Sequence, residues 1–413
     1  MNTAGYDVAV VGGGVAGLLS ATLLADQGYS VCVLEPRLDP RPATGATGLR
    51  TLALTPAARR VLEAAGAWSL LDHTRIGTFS RMTVWDAGSN GRIEFRPPLL
   101  MHDAMGYIVE QQNLVAALAA SARARPALVL REHAFAALER GTPHKVTCAD
   151  GSHLRARLVI GADGAASHLR GVLGIAVEQA PYQQSALLCN VRFAQAHGQI
   201  ARQRFLASGP LAALPLADPY ECAIVWSQDE ARAQFLLALD DAAFATTLAA
   251  EFAAVLGAAT VLSTRALFPL QRLRAERMVV DRCVVLGDAA HVVHPLAGQG
   301  LNLGMMDVAA LVECLGTAAS AAPAWPPRAA LRHFERWRGC ETAAMLMLTD
   351  RLNQWFQLTA APICAVRGFG LNLTDRSGPL KQWLIRRAMG DAGEVPRLAA
   401  APPYPIATPA ARV

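Results

Sequence analysis

The first 35 residues narrow the available folds more than any other part of this chain. An apolar run, a glycine turn, an apolar helical stretch and a second apolar run ending in an acid follow one another without a gap. Tyr6 to Val11 (YDVAVV) reads as a short buried strand. Gly12-Gly13-Gly14-Val15-Ala16-Gly17 comes next, then a helix to about Gly28, then a strand from Ser30 to Glu35 (SVCVLE). This order is a βαβ unit. Gly12, Gly14 and Gly17 are spaced G-x-G-x-x-G. The first permits a tight turn, the second lets a pyrophosphate approach the backbone, and the third lets helix pack close to strand. Val15 and Ala16 open the helix, whose N-terminus presents free N–H groups and a positive dipole end to an anion. Glu35 can accept from a ribose diol and would repel a 2′-phosphate, so the site suits NAD or FAD better than NADP. A glycine turn alone is common and often structural. Here strand, helix and acid sit in register, which makes a dinucleotide site the stronger reading.

Two later segments decide for FAD. Residues 158–170 (LVIGADGAASHLR) read as a strand, a sharp turn at Asp163 and Gly164, and a helix start that includes Arg170. Residues 282–304 (RCVVLGDAAHVVHPLAGQGLNLG) carry a strand ending at Gly287, then Asp288, which can accept from a ribityl or ribose hydroxyl. Pro295, Gly298, Gln299, Gly300 and Leu301 form a glycine-rich loop that opens a helix near Asn302. Its backbone N–H groups can meet the pyrimidine edge of a flavin and stabilise negative charge there. Plainer readings stand beside these: Gly287 and Gly298 as turn glycines, Arg170 as a salt-bridge partner, Trp355-Phe356 as packing. His291 and His294 are three apart, but no cluster of other ligands completes a metal site and Pro295 interrupts the helix, so no metal is expected.

These segments resemble the DG and GD motifs of the class A flavoprotein aromatic hydroxylases, the para-hydroxybenzoate hydroxylase superfamily. GDAAHVVHPLAGQGLNLGMMD is most similar to the ubiquinone-biosynthesis branch. GPLAALPLAD at 209–218, AIVW at 223–226, LRHFERWR at 331–338 and GPLKQWLIRRAMG at 378–390 extend the resemblance over nearly the whole chain. It implies that Gly12, Gly14, Gly17 and Glu35 hold the ADP half and that Arg50 (in GLRTLAL) lies near the flavin. Gln111 stands near a position where many relatives have Arg. Asp163 with Arg170 would serve both FAD and the reducing nicotinamide, Asp288 the ribityl–pyrophosphate region, and residues 295–300 the isoalloxazine. Many relatives carry an acid two residues before the Arg50 position, where this chain has Gly48. The implied reaction is NAD(P)H- and O2-dependent ring hydroxylation of a prenylated phenol through a flavin C4a-hydroperoxide, with the cofactor carrying the hard chemistry and the protein excluding water. No second G-x-G-x-x-G unit is present, so NAD(P)H would bind transiently as reductant. Two other classes stay open: a different flavoenzyme of this fold (a soluble aromatic hydroxylase or prenyl reductase), and a flavin-binding accessory subunit of a quinone-biosynthesis complex.

The implied fold is α/β: a Rossmann-like, glutathione-reductase-type FAD-binding domain, an inserted mainly antiparallel β substrate domain, and C-terminal helices. The motifs spread from 12 to 304, so the FAD domain is expected to be discontinuous, over 1–75, 109–175 and 271–320. Short β-like runs assign 76–108 and 176–270 to the substrate domain. Residues 328–395 read as helical, and the Pro- and Ala-rich 396–413 as a disordered tail. Hydrophobic residues at 53% and charged residues at 17% support a large core. A net charge of +5 without a run of Lys or Arg argues against nucleic acid. The eight cysteines are widely spaced, as in a reducing compartment. No leader or spanning segment is visible, which predicts a cytoplasmic protein. Apolar C-terminal segments flanked by Lys381, Arg386 and Arg387 suit either a lipid interface or packing on the FAD domain.

Overall fold

The computed structural model describes residues 5–38, 40–96, 104–252, 255–318 and 325–401. Residues 402–413 of the expected tail, and most of the Pro-rich stretch before Trp325, lie outside the described residues.

The central strand Gly5–Val11 is flanked in parallel by Val31–Leu34 on one side and His153–Gly161 on the other. Cys283–Val285 continues the parallel set beyond 153–161. This sheet has eight strands, and its central ones are buried on both faces, which explains the near-continuous Val, Ile and Leu of their sequences. Its register matters most. Val11 pairs with Gly161, and Gly161 pairs with Val285. The three motifs, 300 residues apart at their extremes, therefore leave the same sheet edge side by side. Ligands of open α/β sheets bind at this carboxyl edge.

A second sheet has nine strands. Along its path lie His291–Val292, Ala266–Ala275, Val177–Phe193, Glu221–Asp229, Gly209–Pro215, Ile200–Leu206, Arg81–Asp86 and Arg92–Phe95. Its pairs are antiparallel except Ile200–Leu206 with Arg81–Asp86, which run parallel. One face packs on two helices, Glu230–Ala238 and Asp241–Phe252, with Trp226 and Ile224 buried against Phe244 and Leu248. The sequence reading takes this region as strands only, and both helices are additions. Alanine and threonine give Asp241–Phe252 little periodic contrast. The legible signal is the pair of caps: Asp229 accepts from the N–H of Arg232 at 2.9 Å, and Asp240 from that of Ala243 at 2.7 Å. A third sheet joins Thr51–Leu54, Gly106–Glu110 and Gly77–Phe79.

Three helices follow the core: Arg328–Gln357, Ala361–Arg376 and Gly378–Met389. The second does not pack on the parallel sheet. It covers the open edge strand Arg92–Phe95, where Asn372 and Asp375 accept the N–H groups of Arg92 and Glu94 at 3.1 and 3.0 Å. Arg367 anchors it through a buried bidentate pair to Asp86 at 2.8 and 2.9 Å. The first helix is fastened by Phe356, which stacks on Phe205 at 3.7 Å, while Trp355 faces outward.

Candidate active site

At the first turn, Gly12 holds φ +103°, and a Cβ there would sit 2.4 Å from the Ala162 carbonyl. A Cβ at Gly17 would meet the Gly12 carbonyl at 1.9 Å, so this glycine closes the helix onto the strand. Gly14 differs: its Cβ would project into open space. It caps the helix Val15–Asp26, whose first turn has neither a side-chain cap nor an acid. The free N–H groups at that end therefore face the cavity, an arrangement that fits a pyrophosphate. Glu35 is held in place by the Gly13 N–H at 2.7 Å.

In the second motif, Asp163 accepts from the Ser167 hydroxyl at 2.5 Å and the Leu169 N–H at 3.1 Å, locking the turn into the helix His168–Val172. Arg170 is buried behind it and donates to the carbonyls of Ala289 (2.8 Å) and Ala165 (2.8 Å). It thus ties the second motif to the third. Asp288 has no partner among the described residues and stands open to the cavity. Surrounding protein nevertheless desolvates it and pushes its carboxyl up, with His291 and Arg50 pulling the other way. A hydroxyl donor would relieve that desolvation, which fits a ribityl or ribose group.

The flavin-loop segment is fixed by Asn302. Its amide donates to the carbonyls of Ala53 (2.8 Å) and Gly298 (2.9 Å) and accepts the Thr55 N–H at 2.9 Å. Gly298 has φ +62°, and a Cβ there would lie 2.9 Å from that of Ala53. The helix starts at Gln299, three residues before Asn302, because this left-handed glycine turns the chain into it at once.

One cavity of ≈ 890 Å³ joins these parts, at the upper end of the range of about 300–1,000 Å³ for small-molecule sites. Gly12, Gly14, Val15, Ala16, Glu35, Gln111, Asp163, Asp288, Pro295, Gly298, Gly300 and Leu301 line it. Gly17, Arg50, Arg170, Gln299 and Asn302 do not, and stand behind its wall or at its rim. Arg50 is exposed, with its guanidinium 4.7 Å from the centre of the Phe268 ring, which is itself in the wall. Gln111 receives no carboxylate; its N–H donates to the Arg50 carbonyl at 3.0 Å. The far wall is the face of the second sheet turned away from its helices.

Three contributors escaped the sequence reading. Glu110 braces the turn at Gly48 from behind: its carboxylate accepts the Gly48 N–H at 2.6 Å and pairs with Arg75 at 2.7 Å. Asp307, fully buried, takes the imidazole of His291 at 2.5 Å, the guanidinium of Arg338 at 2.8 Å and the Gly287 N–H at 3.2 Å. Burial alone would raise its pKa, but His291 and Arg338 outweigh it and hold the carboxyl down. Gln203 is the third and faces the cavity from the second sheet. His291 and His294 turn to different partners, the latter 3.3 Å from the Gln184 amide oxygen. Among the described residues no group of His, Cys, Asp and Glu is placed to hold a metal ion.

A family model described as FAD binding domain matches residues 5–325. Over 388 residues the chain is 34% identical to 3-demethoxyubiquinol 3-hydroxylase of Escherichia coli, covering 93% of this chain and 98% of the relative. Over 406 residues it is 35% identical to ubiquinone hydroxylase UbiL of Rhodospirillum rubrum, covering 95% and 92%. The crystal structure of Pseudomonas aeruginosa PqsL in complex with 2-aminobenzoylacetate superposes with a TM-score of 0.73 at 26% identity, over 89% of this chain and 100% of that one. Fold and site together define an FAD-dependent monooxygenase. More narrowly, the chain belongs to the FAD-binding family of flavoprotein hydroxylases, in the branch that holds the ubiquinone-biosynthesis hydroxylases.

Proposed function

We propose that this protein hydroxylates the aromatic ring of a polyprenylated phenol in ubiquinone biosynthesis, using FAD, O2 and NAD(P)H as transient reductant. The observation that carries the reading is the joining of a glycine cradle and an aliphatic sheet face in one cavity. When bound, FAD supplies electron transfer from the nicotinamide to O2 and delivery of one oxygen atom to the ring. The chain's own residues do the rest. The N–H groups at Gly14 to Ala16 hold the pyrophosphate, Glu35 the adenosine ribose and Asp288 the ribityl chain. Pro295, Gly298 and Gly300 surround the isoalloxazine, and aliphatic side chains exclude water from the reacting face. On this reading the parallel sheet is the cofactor domain and the nine-stranded sheet the substrate domain.

A polyprenyl substrate resides in a bilayer, and the C-terminal helices support delivery from one. No helix among the described residues is long and apolar enough to cross a membrane. Val366, Phe369 and Leu373 form an exposed stripe at helical spacing, with Phe369 69% exposed, and Trp355 and Trp383 stand out nearby in sequence. Arg351, Arg376 and Arg386 are exposed on the same helices. Apolar residues among basic ones suit an anionic lipid surface, at about 1 kcal/mol per basic residue close to it. The protein would then work from the cytoplasm as a peripheral enzyme of the inner face, alone or within a quinone-biosynthesis complex.

The test offers holoenzyme and NAD(P)H a prenylated phenol and a water-soluble hydroxybenzoate at matched concentration. Hydroxylation of the prenylated phenol coupled to nicotinamide oxidation is expected. Coupled turnover of the soluble acid alone would move the protein out of the quinone branch.

A further inference from the structure

The cavity wall that the second sheet supplies is mainly aliphatic, with Arg202 and Gln203 its polar members, and the Arg202 guanidinium is already taken by the carbonyls of His197 (2.9 Å) and Ile200 (3.1 Å). Along Ile200–Leu206 side chains alternate. Arg204 turns to the helical side, where it pairs with Glu251 at 2.6 Å. Gln203 therefore turns to the cavity. Directly opposite it is Ala212, opposite that is Val225, and opposite that is Leu188. All four line the cavity, so Gln203 heads a row whose other members carry no polar side-chain atom.

Gln203 is only 5% exposed. Its amide makes no hydrogen bond to any described residue, yet its nitrogen and oxygen are not sealed off from the cavity. A buried amide without a partner is costly, and native proteins rarely leave one unmatched. Water is a poor candidate, since a buried water needs two to four polar neighbours and this row offers one. The missing partner belongs to whatever fills the cavity. An amide offers two donors and an acceptor, which complements the oxygen of a phenol in either protonation state. The small side chain of Ala212 leaves room for a ring beside it.

We propose that Gln203 hydrogen-bonds the phenolic oxygen of the substrate and so sets which ring carbon is presented to the flavin. The inference rests on the hydroxylase reading above. A long prenyl chain can slide along an aliphatic wall in many registers, and an unpaired amide in that wall fixes one of them. The same bond makes the site discriminate against rings that lack the oxygen, because the amide would then be left unpaired.

The experiment titrates oxidised holoenzyme with a prenylated phenol and with its deoxy analogue, following the flavin absorbance. Wild type is expected to bind the phenol about tenfold more tightly or better, the range for one buried hydrogen bond left unmade. Gln203→Met keeps the volume and unbranched shape. It should bring the ratio close to one, leave affinity for the deoxy analogue within about twofold, and uncouple nicotinamide oxidation from hydroxylation. FAD content and melting temperature check its fold. An equal ratio in wild type, or an unchanged ratio in the variant, overturns the role of Gln203. Should wild type bind FAD but neither prenylated compound, the polyprenyl reading fails instead. The same ratio is then measured with hydroxybenzoate against benzoate, and loss of discrimination in Gln203→Met still supports, while its persistence refutes, the assignment.

Discussion

His291 and Asp307 meet at 2.5 Å in the interior, with neither side chain exposed to solvent. The carboxylate also carries Arg338 and the N–H of Gly287, the residue before Asp288. One buried anion thus fixes the turn from which Asp288, the proposed acceptor of a cofactor hydroxyl, projects. Removing it leaves the Arg338 charge buried without compensation, a change that costs about 3–5 kcal/mol. Asp307→Ala should lower the unfolding free energy by that amount, read from denaturant titration, and weaken flavin binding as well. A variant with wild-type stability would show that the triad is dispensable.

Gly14→Val and Asp288→Ala should both weaken FAD binding, by different routes. The valine fills the open space in front of the helix N-terminus. The alanine removes a charge-assisted hydrogen bond, typically about 1.5–3 kcal/mol, or roughly 10- to 150-fold in the dissociation constant. Fluorescence titration of the apoprotein measures both. In wild type the flavin should pass to the supernatant on acid precipitation, as a non-covalent cofactor does; yellow colour kept in the pellet would refute this.

Stability should decline as pH falls below about 6.5. Burial pushes His294 down to about 4, with Asp350 opposing. The unfolded chain therefore takes up the proton first, and each step down from 6.5 towards 4 favours unfolding. This histidine alone accounts for roughly 3 kcal/mol across that window and for nothing further below it. Asp307, held down in the fold, adds a loss at lower pH as it is finally protonated. Denaturant midpoints at pH 7, 5.5 and 4.5 should follow this slope, and His294→Gln should flatten it. A variant as pH-sensitive as wild type would place the titrating group elsewhere.

Co-sedimentation with anionic vesicles should be seen for the wild type and be lost in Phe369→Glu combined with Trp383→Glu. Both side chains are exposed, so FAD content and turnover of a detergent-dispersed substrate should be kept. Equal pelleting of the two proteins would remove these helices as the lipid contact.

The three motif turns were legible because each is local: a strand and its glycines lie within a few residues of one another, and the acid closes the same turn or the next strand. Their convergence was not, since the pairing of Val11 with Gly161 and of Gly161 with Val285 joins distant segments in parallel. Gln203 was hidden for a related reason. Residues 202–204 read Arg-Gln-Arg, polar throughout, and only the fold tells that Arg202 is taken by the carbonyls of His197 and Ile200 while the Gln203 amide is left for the cavity. At Gly48 the sequence showed an acid missing from its usual place, but not that the carboxylate bracing this turn comes from Glu110, 62 positions later in the chain. The C-terminal helices were visible as helices, but their choice of the edge strand Arg92–Phe95 over the parallel sheet depends on Asn372 and Asp375 meeting free N–H groups.

The strand Ala266–Ala275 pairs Leu273 with Val292 and Arg274 with His291, a few residues after Asp288 and just before the loop at Pro295. The wall proposed for the substrate and the loop proposed for the flavin are consequently stitched by main-chain bonds. Such a seam behaves as a jig: the offset between the two partners is machined into the backbone, indifferent to what the side chains are. Residues on the wall can then be exchanged to admit a different ring while the working distance stays as it was. A family built this way could spread over many aromatic compounds by re-facing one sheet.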